Sequence, residues 1–127
     1  MPDYTVKRID EMEGAFGGGL KKARAELGVT SFGMQVVDMP PNYPDYPEHD
    51  HAEEAQEEVF AVLRGSGHMD VEGERVELTP DVIVRVGANA KRKIHPGPEG
   101  IRLIALGGTP GTAYKPAEFT ELEGAAA

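Results

Sequence analysis

The chain has 127 residues, no cysteine and a formal net charge of -9, from 22 acidic and 13 basic residues. That length suits one domain with a single core. The acidic balance argues against nucleic acid as a partner, and the missing thiol excludes disulfides, cysteine-bound zinc and thiol catalysis. No apolar run is long enough to span a bilayer and the first residues do not open a signal peptide, so a cytoplasmic protein with no membrane partner is expected.

Sixteen glycines and ten prolines imply frequent turns, which favours many short strands over a few long helices. Tyr4 to Ile9 alternates as a first short strand. After Gly17-Gly18-Gly19, the residues Leu20, Ala23 and Leu27 share one helical face, and Gly28 is placed to cap that short helix. Ser31 to Met39 alternates again, Phe32, Met34 and Val36 against Gly33, Gln35 and Val37, with Met34 and Met39 as core filler. It stops at a loop, residues 40–47, whose four prolines have no N–H to give to a sheet ladder. Tyr43 and Tyr46 in that loop either line a pocket mouth or pack the loop itself.

Val59 to Leu63 is apolar on both faces and reads as an interior strand. Gly65-Ser66-Gly67 predicts a bend, and His68 to Val71 leads into a hairpin turn at Glu72-Gly73. Arg75 to Leu78 returns with Val76 and Leu78 inward; Val82 to Val86 is the next strand. After a corner at residues 87–90, Lys91 to Ile94 extends to residues 95–100, and Ile101 to Leu106 is the last strand. The spacing predicts an all-β sandwich or barrel. An N-terminal extension occupies about residues 1–30, the barrel about 31–108, and a surface tail about 109–127, with a disordered end at Ala125-Ala126-Ala127.

The chemistry concentrates in the middle. From Ala25 to Leu63 there is no Lys or Arg, while nine carboxylates surround His49 and His51. On extended backbone, side chains at i and i+2 share a face, so the two imidazoles address one point, as a metal site on a strand begins. A solvated acidic loop with unremarkable histidines is the plain alternative. His68 alone reads as a strand or turn histidine, and Lys91 and Lys93 as a solvated face. Neither a phosphate-binding glycine loop nor a serine nucleophile elbow is present.

His49-x-His51, then Glu58 with six residues before Gly65, together with Glu72-Gly73, Pro80-Asp81 and the strand over 82–86, resembles the cupins over about Pro47 to Leu106. The resemblance implies a double-stranded β-helix barrel of the jelly-roll type and a homodimer. It also implies a metal held by His49, His51 and Glu58, two imidazoles and a carboxylate that suit Fe, Mn, Ni or Zn. Two departures stand out. Six residues separate His51 from Glu58, more than the family usually has, so Gln56 competes for the glutamate's space and Glu57 points to the opposite face. The family's second-motif histidine falls on Arg92, and His95, at an odd offset from it, faces the other side of the sheet.

Arg92 leaves three versions open: a guanidinium paired bidentately with Glu58 in place of any metal, a weak metal with Arg92 holding a substrate carboxylate, or a metal site of the family type. Tyr46 and Arg92 are the candidate substrate contacts. The functional expectations are a metal-dependent enzyme acting on a small polar metabolite, or a metal-free barrel that binds a small ligand as a sensor or accessory protein.

Overall fold

A computed structural model describes residues 2–124; the expected disordered end at residues 125–127 lies outside them. The elements in chain order are β1 (Gly14–Ala15), β2 (Leu20–Lys21), α1 (Ala23–Leu27), β3 (Gly33–Met39), β4 (Glu57–Val71), β5 (Glu74–Leu78), β6 (Ile83–Val86) and β7 (Arg92–Gly108). Every ladder is antiparallel. No helix among the described residues is long and apolar enough to cross a membrane.

Two long strands make the barrel. β4 and β7 pair along nearly their whole length, with register shifts between Val62 and Arg64 and between Gly65 and Gly67. The first half of β4 takes β6 on its other edge, and the second half takes β5. The later half of β7 also pairs with β3. The bulged middle thus bends one sheet into two facing layers, a jelly-roll barrel of the double-stranded β-helix type. Between the layers lie Val37, Met39, Phe60, Val62, Met69, Leu78, Val86, Ile94, Ile101 and Leu103.

The strand elements expected at 31–39, 75–78 and 82–86 form close to those bounds, and the Glu72-Gly73 turn has positive φ at both residues, as a type I′ hairpin requires. Leu63, however, is 42% exposed, so the interior strand is buried on one face there. The stretch 95–100, between the two strands expected at 91–94 and 101–106, is itself strand, so β7 is continuous. His95 and Pro96 pair with His68 and Gly67, so glycine and proline here mark a bulge rather than a turn. The strand expected at Tyr4 to Ile9 does not form. Tyr4 and Val6 are 75% and 78% exposed, so alternation gained no burial to hold a ladder, and a 3₁₀ turn at Ile9–Glu11 follows.

The short helix does form, capped by Gly28 in the left-handed region. It covers the outer face of β3, where Met12, Ala23 and Val36 make a second small core. Polar contacts fasten this layer. Buried Lys22 donates to Glu13 and to the Glu121 carbonyl, Glu26 accepts from the Glu13 N–H, and Arg102 bonds both Asp10 and Asp38. The tail is therefore not only surface: Thr120 is buried.

This layer should loosen in acid. Arg102 holds the Asp10 carboxyl below its ordinary value of 3.8; Lys22 and the Glu13 N–H hold Glu13 and Glu26 below 4.5. A carboxyl whose folded pKa is depressed adds stability above its unfolded pKa and loses it as pH falls through the folded one. Hydrogen-exchange protection of residues 9–28 is expected to drop, relative to that of β4 and β7, once pH falls below about 4.5. Parallel loss in both regions would show that the contacts are not a separate fastening.

Candidate metal centre

The histidine pair sits where loop and barrel meet. His49 exchanges two backbone hydrogen bonds with Arg92, of 3.0 and 2.8 Å, and the His51 N–H donates to the Ala88 carbonyl at 2.9 Å. The loop is thus laid along the start of β7 and the corner before it. The six residues between His51 and Glu58 are absorbed by a turn, with Ala55 at φ 52°, the Ala52 N–H on Asp50 and the Gln56 N–H on the His51 carbonyl. The chain then enters β4 with Glu58 facing the histidines. Gln56 packs at Gly107 and does not compete for the glutamate's space. Glu57 points away and pairs with Arg85 at 2.9 Å.

Tautomers follow from the partners. His49 Nδ1 lies 2.9 Å from the Pro47 carbonyl, and His51 Nδ1 lies 3.1 Å from Glu54 Oε1. Each of these oxygens accepts, so each Nδ1 carries hydrogen and each Nε2 is left to the site. The rings stand edge to face at 5.0 Å, and one ligand atom from each of His49, His51 and Glu58 falls within 4.8 Å of the others. Ligands about 2.0–2.2 Å from a shared ion lie about 3–3.5 Å apart at tetrahedral or cis-octahedral angles, so the trio would draw together by up to about 1–2 Å around one. Glu58 Oε1 is 3.2 Å from His51 Nε2 but not aligned as a hydrogen bond, and it is buried with no hydrogen-bond partner. An orphaned carboxylate oxygen beside two oriented imidazoles fits a cation. Glu58 is also the main cause that lifts the His51 imidazole above its ordinary 6.5, with Glu54 adding and burial opposing. Proton and cation are therefore alternatives at that nitrogen.

Arg92 faces inward, fully buried. Its Nη2 donates to the Gly87 carbonyl at 3.1 Å, while Nε stands 3.7 Å from Glu58 Oε1; Nε and Nη1 have no hydrogen-bond partner. The bidentate pair with Glu58, one of the three versions left open, is not made: the Gly87 carbonyl takes Nη2 and Nε stands off at 3.7 Å. Tyr46 packs half-buried against the core with its ring 5.6 Å from that of His49. Burial, and then the charge of Glu58, pushes its hydroxyl pKa well up, so it stays a neutral donor. Tyr43 is 39% exposed on the loop surface.

His95 does lie on the opposite face of β7 from Arg92. There it meets His68 and Asp70 in a second cluster, which local sequence does not bring together. His68 and Asp70, two apart before a hairpin, were the available signal; the pairing of β4 with β7 that adds His95 is long-range.

Comparison with known proteins agrees with the fold. The Cupin domain family matches residues 35–106. No curated protein matches the chain. A cupin protein from Bacteroides fragilis superposes with a TM-score of 0.65 at 19% identity, over 94% of this chain and 95% of that one. The plu4264 protein from Photorhabdus luminescens gives 0.62 at 13%, over 87% and 90%. KdgF from Halomonas sp. gives 0.59 at 14%, over 72% and 76%. With the family match covering more than half of its length, the chain belongs to the cupins.

Proposed function

We propose that this cupin holds one divalent transition-metal ion, Fe, Mn, Ni or Zn, on His49, His51 and Glu58 and presents it to a small organic acid. The observation that carries the reading is the ring orientation: both Nδ1 atoms face acceptors, which leaves both Nε2 atoms to the site beside an orphaned carboxylate oxygen. An ion so held leaves positions open and supplies Lewis-acid polarisation of an oxygen ligand. Arg92, whose Nε and Nη1 lack partners, supplies the positive group for a ligand carboxylate, and Tyr46 supplies a neutral hydroxyl at the same wall.

Arg92 also favours a second reading, a metal-free barrel that binds a small anion. Its fixed charge 3.7 Å from Glu58 already neutralises the one carboxylate of the site.

Calorimetric titration of tag-free protein with Mn(II), Ni(II) and Zn(II) separates the two. The His49→Ala/His51→Ala variant is expected to lose at least about 100-fold in affinity at this site, two of three ligands being gone, with circular dichroism unchanged. Oxalate that stabilises the protein without metal, loses that effect in Arg92→Met, and is indifferent to the histidine substitutions would replace the first reading by the second.

A further inference from the structure

On β4 and β7 the fully buried Met69 and Ile94 point into the barrel, so their neighbours His68, Asp70 and His95 point out of it. His68 and His95 are direct cross-strand partners, and Asp70 follows His68 on the same face. The two imidazoles stack at 4.5 Å and 16°. Both Nε2 atoms face the one carboxylate: His95 Nε2 is 2.8 Å from Asp70 Oδ2, and His68 Nε2 is 3.9 Å from Oδ1. One ligand atom from each of the three lies within 4.8 Å of the others.

A surface His95–Asp70 ion pair accounts for the shorter distance. It does not account for His68, whose ring lies parallel to that of His95 with its Nε2 turned to the other oxygen of the same carboxylate. The stacked rings and the carboxylate thus turn two ring nitrogens and two oxygens toward one point on the surface. The neighbouring strand β5 sets Glu77 beside His68, and its carboxylate is engaged by Arg75 at 2.8 Å. Arg75 and Lys93 flank Asp70 across the strands and oppose a cation there, while Glu77 and the overall charge of -9 favour one.

The geometry points to a second metal site on the outer wall of the barrel, in which His68, Asp70 and His95 chelate an imidazole-preferring divalent ion of the copper, nickel or zinc type. The site is independent of the inner one. The strand register fixes the spacing of all three ligands, and the ladder between β4 and β7 holds them whether or not an ion is present. Two nitrogens and one carboxylate suit these ions better than magnesium or calcium, which take oxygen ligands.

The test uses tag-free His49→Ala/His51→Ala protein, so that the inner ligands are absent, titrated with Cu(II) and then with Zn(II). One equivalent of Cu(II) should bind with electron paramagnetic resonance hyperfine structure from two imidazole nitrogens. Zn(II) should shift the side-chain nitrogen resonances of His68 and His95 together. Adding His68→Ala or His95→Ala should weaken binding at least tenfold each, and Asp70→Asn about tenfold. Coupling to a single nitrogen, or affinity unchanged in the His68→Ala/His95→Ala background, would overturn the site. If the inner substitutions prevent folding, the same readout applies to the otherwise native chain, whose stoichiometry must fall by one ion in His68→Ala/His95→Ala.

Discussion

Gly65→Ala is expected to lower the melting temperature by at least about 10 °C. Gly65 sits in the bulge that bends β4, at φ 79°, and a Cβ there would lie 2.2 Å from the Gly100 carbonyl oxygen and 3.0 Å from the Ile101 Cα. These are backbone atoms of the paired strand and cannot rotate aside. Left-handed conformation costs a non-glycine residue about 1–3 kcal/mol and forced overlap about 1–3 more, out of a total stability of about 5–15 kcal/mol. A shift of that size moves the midpoint by several degrees per kcal/mol in a chain of this length. Two companions divide the causes. Gly73→Ala, at φ 83° with nothing within 4 Å, carries the strain alone; Gly67→Ala, whose Cβ would meet the His95 carbonyl oxygen at 2.3 Å, carries the overlap. Equal midpoints for Gly65→Ala and Gly73→Ala would mean that the close approach of β4 and β7 is not what the glycine serves.

The same glycines show how far local sequence reaches. Alternation and turn residues mark β3, β5, β6 and the hairpin at Glu72-Gly73, because period and turn chemistry are local signals even where the partner strand, β7 for β3 and β4 for β6, is distant. Gly65-Ser66-Gly67 and Pro96-Gly97-Pro98 carry the local signature of corners, yet they lie inside β4 and β7. They form a bulge, with Gly65 opposite Ile101 and Gly67 opposite Pro96, and only long-range pairing reveals that. His49 and His51 can be read together because two residues on extended backbone share a face; Glu58 joins them only through the resemblance to the cupins. The orientation of their rings depends on Pro47 and Glu54, and the partners of Arg92 depend on where the corner at Gly87 closes. Those are contacts of the folded chain. The outer cluster was hidden for the same reason: His68 and His95 become neighbours only once β4 pairs with β7. The charge map was also misleading by itself. Of the nine carboxylates around the histidines, Asp38 and Glu57 are met by arginines from distant strands and only Glu58 enters the centre.

Arg92→His is expected to raise the affinity of the inner site for Zn(II) or Mn(II) by at least about 100-fold. An ion about 2 Å from Glu58 Oε1 would stand within about 6 Å of Arg92 Nε, since that nitrogen is 3.7 Å from the same oxygen. At an effective dielectric near 20, a single and a double positive charge at that separation repel by several kcal/mol. Histidine at this position removes the repulsion and brings a fourth ligand to the wall from which β7 starts, on the side of the strand that faces His49 and Glu58. Arg92→Met separates the two gains, for it removes the charge at similar length and adds no strong ligand. It should give a smaller rise in affinity. Without metal, Arg92→Met should melt lower than the native chain: it leaves the buried Glu58 carboxylate oxygen, 3.7 Å from Arg92 Nε, without that counter-charge, and removing one partner of such a pair is destabilising. Equal affinities for Arg92→His and Arg92→Met would show that the imidazole does not reach the ion. Unchanged affinity in both would place the ion away from Arg92, and the assignment of Glu58 as its ligand would fall with it.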